Sequence, residues 1–194
     1  MNPVPFVSLR RRAGVIFVAG TNTGVGKTFI TKLIARRLSA RGCKVATQKW
    51  VETGVKRSRA VYSFKIAASP HLAARCEKKA INIKKIKTAL KKLSKKNDFV
   101  IVEGTGGLLV PLTEKKLLID VVKELKIPVL LVSANKLGAI NQTLLSLEAL
   151  RARRMKLLGI VFNNISKREN SLILKDNPRI VKKFIGKVPV WING

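Results

Sequence analysis

The chain has 194 residues, 46% of them hydrophobic, which suits one domain with a sizeable core and excludes an intrinsically disordered segment. Its 40 lysines and arginines face 10 carboxylates, a formal net charge of +30 that should attract polyanions, although the charges are spread along the chain. No apolar run reaches the roughly 18–20 residues of a membrane span, and two cysteines without metal-ligand spacing, Cys43 and Cys76, predict a reduced, cytoplasmic protein that needs no disulfides.

In chain order, residues 1–12 read as a basic extension, and residues 13–194 as a single domain. Arg10, Arg11 and Arg12 precede an apolar stretch as in a signal peptide, but cleavage there would destroy the motif that the stretch feeds. Apolar runs predict strands at 15–19, 44–48, 99–102, 129–133 and 158–162. Helical spacing predicts helices at 27–41, 81–96, 117–125 and 140–153. Their alternation predicts βαβ units: a parallel sheet flanked by helices in a three-layer αβα arrangement. The strands are continuous Val/Ile/Leu runs, as expected when both faces of a sheet are covered. In the lysine-rich stretch 78–96, Ile83, Ile86, Leu90 and Leu93 share one helical face, so the lysines read as a solvated basic surface. No aromatic interleaving or reading motif accompanies them, so neither nucleic acid nor membrane is the expected partner.

Between the first strand and the first helix lies Gly20-Thr21-Asn22-Thr23-Gly24-Val25-Gly26-Lys27-Thr28, a phosphate loop. Its glycines let backbone amides approach phosphate oxygens at a helix N-terminus. Lys27 would reach the terminal phosphates and the Thr28 hydroxyl would ligate magnesium. In an open parallel sheet ligands bind beyond the strands' carboxyl ends, so the residues there are the candidates for chemistry. Lys49 follows the second strand and could neutralise charge in phosphoryl transfer, or be one lysine among many. Glu103 ends the third strand, placed like a metal-side acid or a plain turn residue, and Gly104, Gly106 and Gly107 beside it open the backbone to a substrate. After the fourth strand, the start of the helix at Leu137, Gly138 and Asn141 offers free amides to a carboxylate, or a simple cap. Asn163 could read a purine edge or serve a turn. His71, the only histidine, reads as a helix-start or packing residue.

Together these segments resemble the dethiobiotin synthetase family. Gly20–Thr28 is similar to its phosphate loop, Lys49–Gly54 to its Lys-Pro-Val-x-Thr/Ser-Gly segment and Ser69–Ala74 to its Ser-Pro-His-Leu-Ala-Ala segment. Val102–Leu112, Leu137–Asn141, Gly159–Asn163 and a late element at Pro189 follow in the family's order. The resemblance implies a P-loop NTPase fold and an ATP-dependent ligase of biotin biosynthesis. Its substrates would be 7,8-diaminopelargonic acid and CO2 or bicarbonate, joined through a carbamate and a carbamic–phosphoric anhydride. It implies that Lys27 and Lys49 are catalytic and that Thr28 and Glu103 hold Mg2+. Thr23, Gly24, Val25, Gly26, Lys27, Thr28, Asn163 and Pro189 would bind ATP. Thr53, Gly106, Gly107, Leu137, Gly138 and Asn141 would bind the diamine, with the 138–141 helix start coming from the second subunit of a homodimer.

The chain also departs from the family. The aspartate usual between the Thr-Gly and Ser-Pro-His segments is replaced by a stretch without acids, 55–60, leaving Glu52 as the nearest carboxylate. Trp50 stands where proline is usual and Asn22 where aspartate is common, and the chain ends soon after Trp191, where the family has a further helix. A partitioning or positioning ATPase would share the fold but carries a second lysine in its loop. A cobyrinate-type synthetase would need a glutaminase domain, for which 194 residues leave no room.

Overall fold

Five of the apolar runs form the strands expected of them. The computed structural model describes residues 14–165 and 169–194, so the extension expected at 1–12 lies outside the described residues. In chain order the elements are β1 Gly14–Gly20, α1 Lys27–Ser39, β2 Val45–Lys49, β3 Val51–Glu52, β4 Tyr62–Ser63 and α2 Pro70–Cys76. Then come α3 Ile83–Ser94, β5 Phe99–Gly107, β6 Pro111–Thr113, β7 Lys116–Leu117 and α4 Leu118–Glu124. The chain closes with β8 Val129–Ala134, α5 Ala139–Ala152, β9 Leu157–Asn163, α6 Ser171–Ile185 and β10 Val190–Asn193.

Six strands form one parallel sheet in the order β10-β9-β8-β1-β5-β2. The β1–β2 crossover runs one way across the sheet and every later crossover runs the other way, so right-handed connections should put α1 on one face and the later helices on the other, and the packing agrees. Ile30, Ile34 and Leu38 of α1 pack with Ile16, Val18, Ile101 and Val132. Ile86 and Leu90 of α3, Val121 and Val122 of α4, Leu147 and Leu150 of α5 and Val181 of α6 pack with Phe17, Val100, Val102 and Leu131. Alternate residues of β1 therefore serve opposite layers, as the pleat requires. Each fully buried side chain of this kind contributes about 1.5–3 kcal/mol. Among the described residues no helix is long and apolar enough to cross a membrane.

Sequence periodicity did not mark α6 or β10. α6 contains Asn177-Pro178 at its centre, a pair that ordinarily signals a break. Here the break is repaired from outside. Pro178 has no N–H for the carbonyl of Leu174, and Asn135 Nδ2 donates to that carbonyl at 2.9 Å. Asn135, fully buried at the end of β8, also donates to Asn164 Oδ1 (2.8 Å) and accepts from Asn177 Nδ2 (2.9 Å). Three asparagines thus lock α6 against the carboxyl ends of β8 and β9.

Candidate active site

The phosphate loop closes over the start of α1. Gly26 adopts φ 91°, a left-handed conformation that favours glycine, and a Cβ there would collide with the Asn163 side chain. Lys27, almost buried, points its ammonium at the carbonyls of Asn22 and Gly106, 2.9 Å from each. It thereby bridges the phosphate loop to the glycine loop of β5. Burial pulls its pKa down to about 8; Glu103 opposes the shift and Lys49 adds to it.

Lys49 and Glu103 face each other because β2 and β5 pair in parallel with these two residues in register. Glu103 Oε1 accepts from the Thr28 hydroxyl at 2.5 Å and lies 3.3 Å from Lys49 Nζ. The ammonium of Lys49 lies closer still to Glu52 Oε1, at 2.6 Å, and the Ser58 hydroxyl donates to the other oxygen of Glu52. Desolvation works against charge on Lys49, but the Glu52 hydrogen bond and the Glu103 charge outweigh it and raise its pKa above the usual lysine value. The Lys49 and Ser58 bonds likewise hold the Glu52 carboxyl below its usual value in spite of desolvation. The Thr105 hydroxyl donates to the Val51 carbonyl and ties the β5 loop to β3.

These groups line one open cavity of about 330 Å³. The structure brings to it Thr23, Gly24, Gly26, Lys27, Thr28, Lys49, Thr53, Glu103 and Gly106, all of them marked in the sequence. Val25 lies buried beneath the loop. Gly107 lines a neighbouring cavity of about 380 Å³ shared with Leu109 and with Leu145 of α5. Leu137, Gly138 and Asn141 are exposed at the start of α5 and line neither cavity. Asn163 is 4% exposed, its amide donating to the Val25 carbonyl (3.1 Å) and accepting from Asn193 Nδ2 (2.8 Å), so it braces the loop from below. Pro189 precedes β10 at its amino end, where its carbonyl accepts from Ile160 N, whereas the phosphate loop lies at the carboxyl ends of the strands.

What the sequence did not show is the hold of Glu52, itself bonded by Ser58, on Lys49. The only signal was a carboxylate three residues after the lysine in a chain poor in acids. Trp50, in the place of the family's usual proline, is 1% exposed and packs on Phe17 with ring centroids 5.3 Å apart. It fills core space and leaves Lys49 and Glu52 on the side of the cavity.

Among the described residues no group of three or more His, Cys, Asp or Glu side chains could by itself hold a metal. The Thr28 hydroxyl and the Glu103 carboxylate nevertheless converge as hard oxygen donors on the phosphate side of the cavity. That set suits Mg2+, which is held by one or two carboxylates together with substrate phosphates and water.

Three comparisons bear on this site. A family described as an AAA domain matches residues 57–191, a span that begins after the phosphate loop. The ATP-dependent dethiobiotin synthetase BioD 2 of Haemophilus influenzae is 37% identical over 186 residues, covering 84% of this chain and 97% of that protein. The ATP-dependent dethiobiotin synthetase BioD of Lysinibacillus sphaericus is 40% identical over 173 residues, covering 76% and 74%. Among solved structures, the septum site-determining protein MinD of Pyrococcus horikoshii, complexed with Mg-ADP, superposes with a TM-score of 0.58 at 16% identity, covering 93% of this chain and 81% of that one. This last likeness shows the fold alone: a parallel sheet flanked by helices, shared with other phosphate-loop proteins. With relatives this similar over 97% and 74% of their own length, and with the phosphate loop, Lys49 and Glu103 converging on one cavity, the chain belongs to the ATP-dependent dethiobiotin synthetase family.

Proposed function

We propose that the chain catalyses the family's reaction, closing the ureido ring of dethiobiotin from 7,8-diaminopelargonic acid, CO2 and ATP. One amine adds to CO2 and loses a proton, giving a carbamate. A carbamate oxygen attacks the γ-phosphorus of ATP and displaces ADP. The second amine then attacks the carbonyl of the mixed anhydride and releases phosphate. The observation that carries this reading is the convergence of two lysines, Lys27 and Lys49, on a cavity edged by the phosphate loop and the glycines of β5.

Each step asks for positive charge where oxygen anions crowd together. Lys27 is already held at the junction of the two loops, so phosphate oxygens can replace its carbonyl partners without reorganising the site. Lys49, kept cationic between Glu52 and Glu103, faces the same space and would stabilise the carbamate and the transferring phosphoryl group. Thr23, Gly24, Val25 and Gly26 would supply loop amides to the phosphates, with Thr53, Gly106 and Gly107 against the diamine. Mg2+, held by Thr28 and Glu103, would neutralise phosphate charge.

Leu137, Gly138 and Asn141 stand away from this cavity, and Leu109, Leu137 and Leu145 are 51%, 78% and 58% exposed. A second copy covering these leucines would bring its own α5 start towards the site, which supports a homodimer sharing the substrate's carboxylate between subunits. A cytoplasmic setting, where ATP is at hand and the free thiols of Cys43 and Cys76 stay reduced, completes the reading. The test is ADP release from Mg-ATP with and without the diamine and bicarbonate, with Lys27→Ala as control. Release that needs both additions and is lost in the variant supports the proposal; release indifferent to the diamine refutes it.

A further inference from the structure

The +30 charge is unexplained by the reaction, and the fold gathers part of it into a built feature. In a parallel sheet with helical crossovers, helix C-termini emerge together at the amino ends of the strands, opposite the nucleotide site. There, between the ends of α4 and α5, lies a cavity of about 550 Å³. Five cations line it, Lys123, Lys126, Arg153, Arg154 and Lys156, and no carboxylate does. Ile127 and Met155 supply an apolar floor. Among the described residues only Arg153 of the five is ion-paired, to Asp120 at 3.1 Å. The two helix ends contribute roughly half a negative charge each, so the cations remain in excess and repel one another until an anion arrives.

The basic track continues sideways. Arg151, in the last turn of α5, donates to the carbonyl of Phe184 at 2.7 Å, which joins the cavity's edge to the end of α6. Lys182 and Lys183 occupy the last turn of α6, and Phe184 is 56% exposed. Cations in a row beside an open aromatic ring combine backbone neutralisation with a stacking platform. We infer that this face, from Phe184 to the cavity between α4 and α5, binds single-stranded nucleic acid through its phosphates, with a base on the Phe184 ring. A lipid surface fits less well, because among the described residues Phe184 is the one large, exposed apolar side chain that lies at this end.

The test is fluorescence anisotropy of a labelled oligothymidylate across a salt series, without ATP, on the full chain. The double variant Lys126→Glu/Lys156→Glu is compared with Lys32→Glu/Lys84→Glu, the same charge change on exposed positions of α1 and α3. Each single-strand phosphate contact contributes about 0.7 to the log–log salt slope. The cavity variant should therefore lower the slope by about 1.4 and the affinity by about tenfold or more, while the α1/α3 pair changes either little. Phe184→Ala should cost about fivefold or more with the slope retained. Equal losses from both charge pairs would overturn the site in favour of diffuse attraction. So would an affinity unmoved by all three variants, or binding to phosphatidylserine vesicles with none to the oligonucleotide.

Discussion

The repair of α6 gives a prediction whose size follows from the geometry. Asn135→Ala removes three side-chain hydrogen bonds, to Leu174 O, to Asn164 Oδ1 and from Asn177 Nδ2. Each buried bond is worth about 1 kcal/mol net, so the loss should be about 3 kcal/mol. About 1 kcal/mol of that belongs to the Leu174 carbonyl, which Pro178 cannot serve because it lacks an N–H. Pro178→Ala restores the N–H. In the native background that carbonyl already has Asn135, whereas in the Asn135→Ala background that partner is gone. The stabilisation gained from Pro178→Ala should therefore be larger by about 1 kcal/mol when Asn135 is absent. Urea unfolding of the four proteins, with slopes compared to exclude a changed denatured state, measures the difference. Equal increments in the two backgrounds would refute the reasoning and show that Asn135 does not stand in for the missing donor.

Other residues give sharper local tests. A Cβ on Gly159 would collide with the Trp191 ring and lie 3.0 Å from the Pro189 carbonyl, so Gly159→Ala should cost about 1–3 kcal/mol in urea unfolding. Glu52→Gln keeps the shape but leaves Lys49 to Glu103 alone. Lys49 should then compete with magnesium, and losing a partly exposed pair of about 1 kcal/mol should raise the half-saturating magnesium concentration about fivefold, read both in ADP release and in Mg-ADP binding by calorimetry. Glu77 accepts from Lys79 Nζ (2.8 Å) and from the backbone N–H groups of Ile66 (3.2 Å) and Lys65 (2.5 Å), which holds its carboxyl below the usual value. Its contribution to stability is present above the unfolded-state pKa and is lost as pH falls through the lower folded value. Urea midpoints followed into acid should fall less steeply for Glu77→Gln.

The features that spoke clearly in the sequence were those fixed by local pattern. The Val/Ile/Leu runs of β1, β5, β8 and β9 could be read because both faces of the sheet are covered, and the Gly20–Thr28 spacing because a phosphate loop admits little variation. Strand ends then located Lys49 and Glu103, since chemistry in such sheets collects there. α6 was hidden because its centre carries Asn177-Pro178, and only a side chain 39 residues before Leu174 in the chain makes that helix possible. Asn163 invited a base contact, yet its amide is committed beneath Val25 by a β9–β10 pairing that no local pattern displays. Pro189 likewise has a setting that local pattern does not display. Its segment matched a family element, while β10 starts after it and leaves it at the amino end of the strand. The bond from Lys49 to Glu52 forms where β3 pairs in parallel with β4, a two-residue pairing too short to be read from periodicity.

The most direct measurement is incorporation of labelled carbon. Protein, Mg-ATP, 7,8-diaminopelargonic acid and isotopically labelled bicarbonate are incubated together, and the product is analysed by mass spectrometry. The account predicts dethiobiotin carrying the label in its ureido carbonyl, formed in step with ADP and lost with Lys27→Ala. ATP hydrolysis without labelled dethiobiotin, from a folded protein that binds the nucleotide, would contradict it.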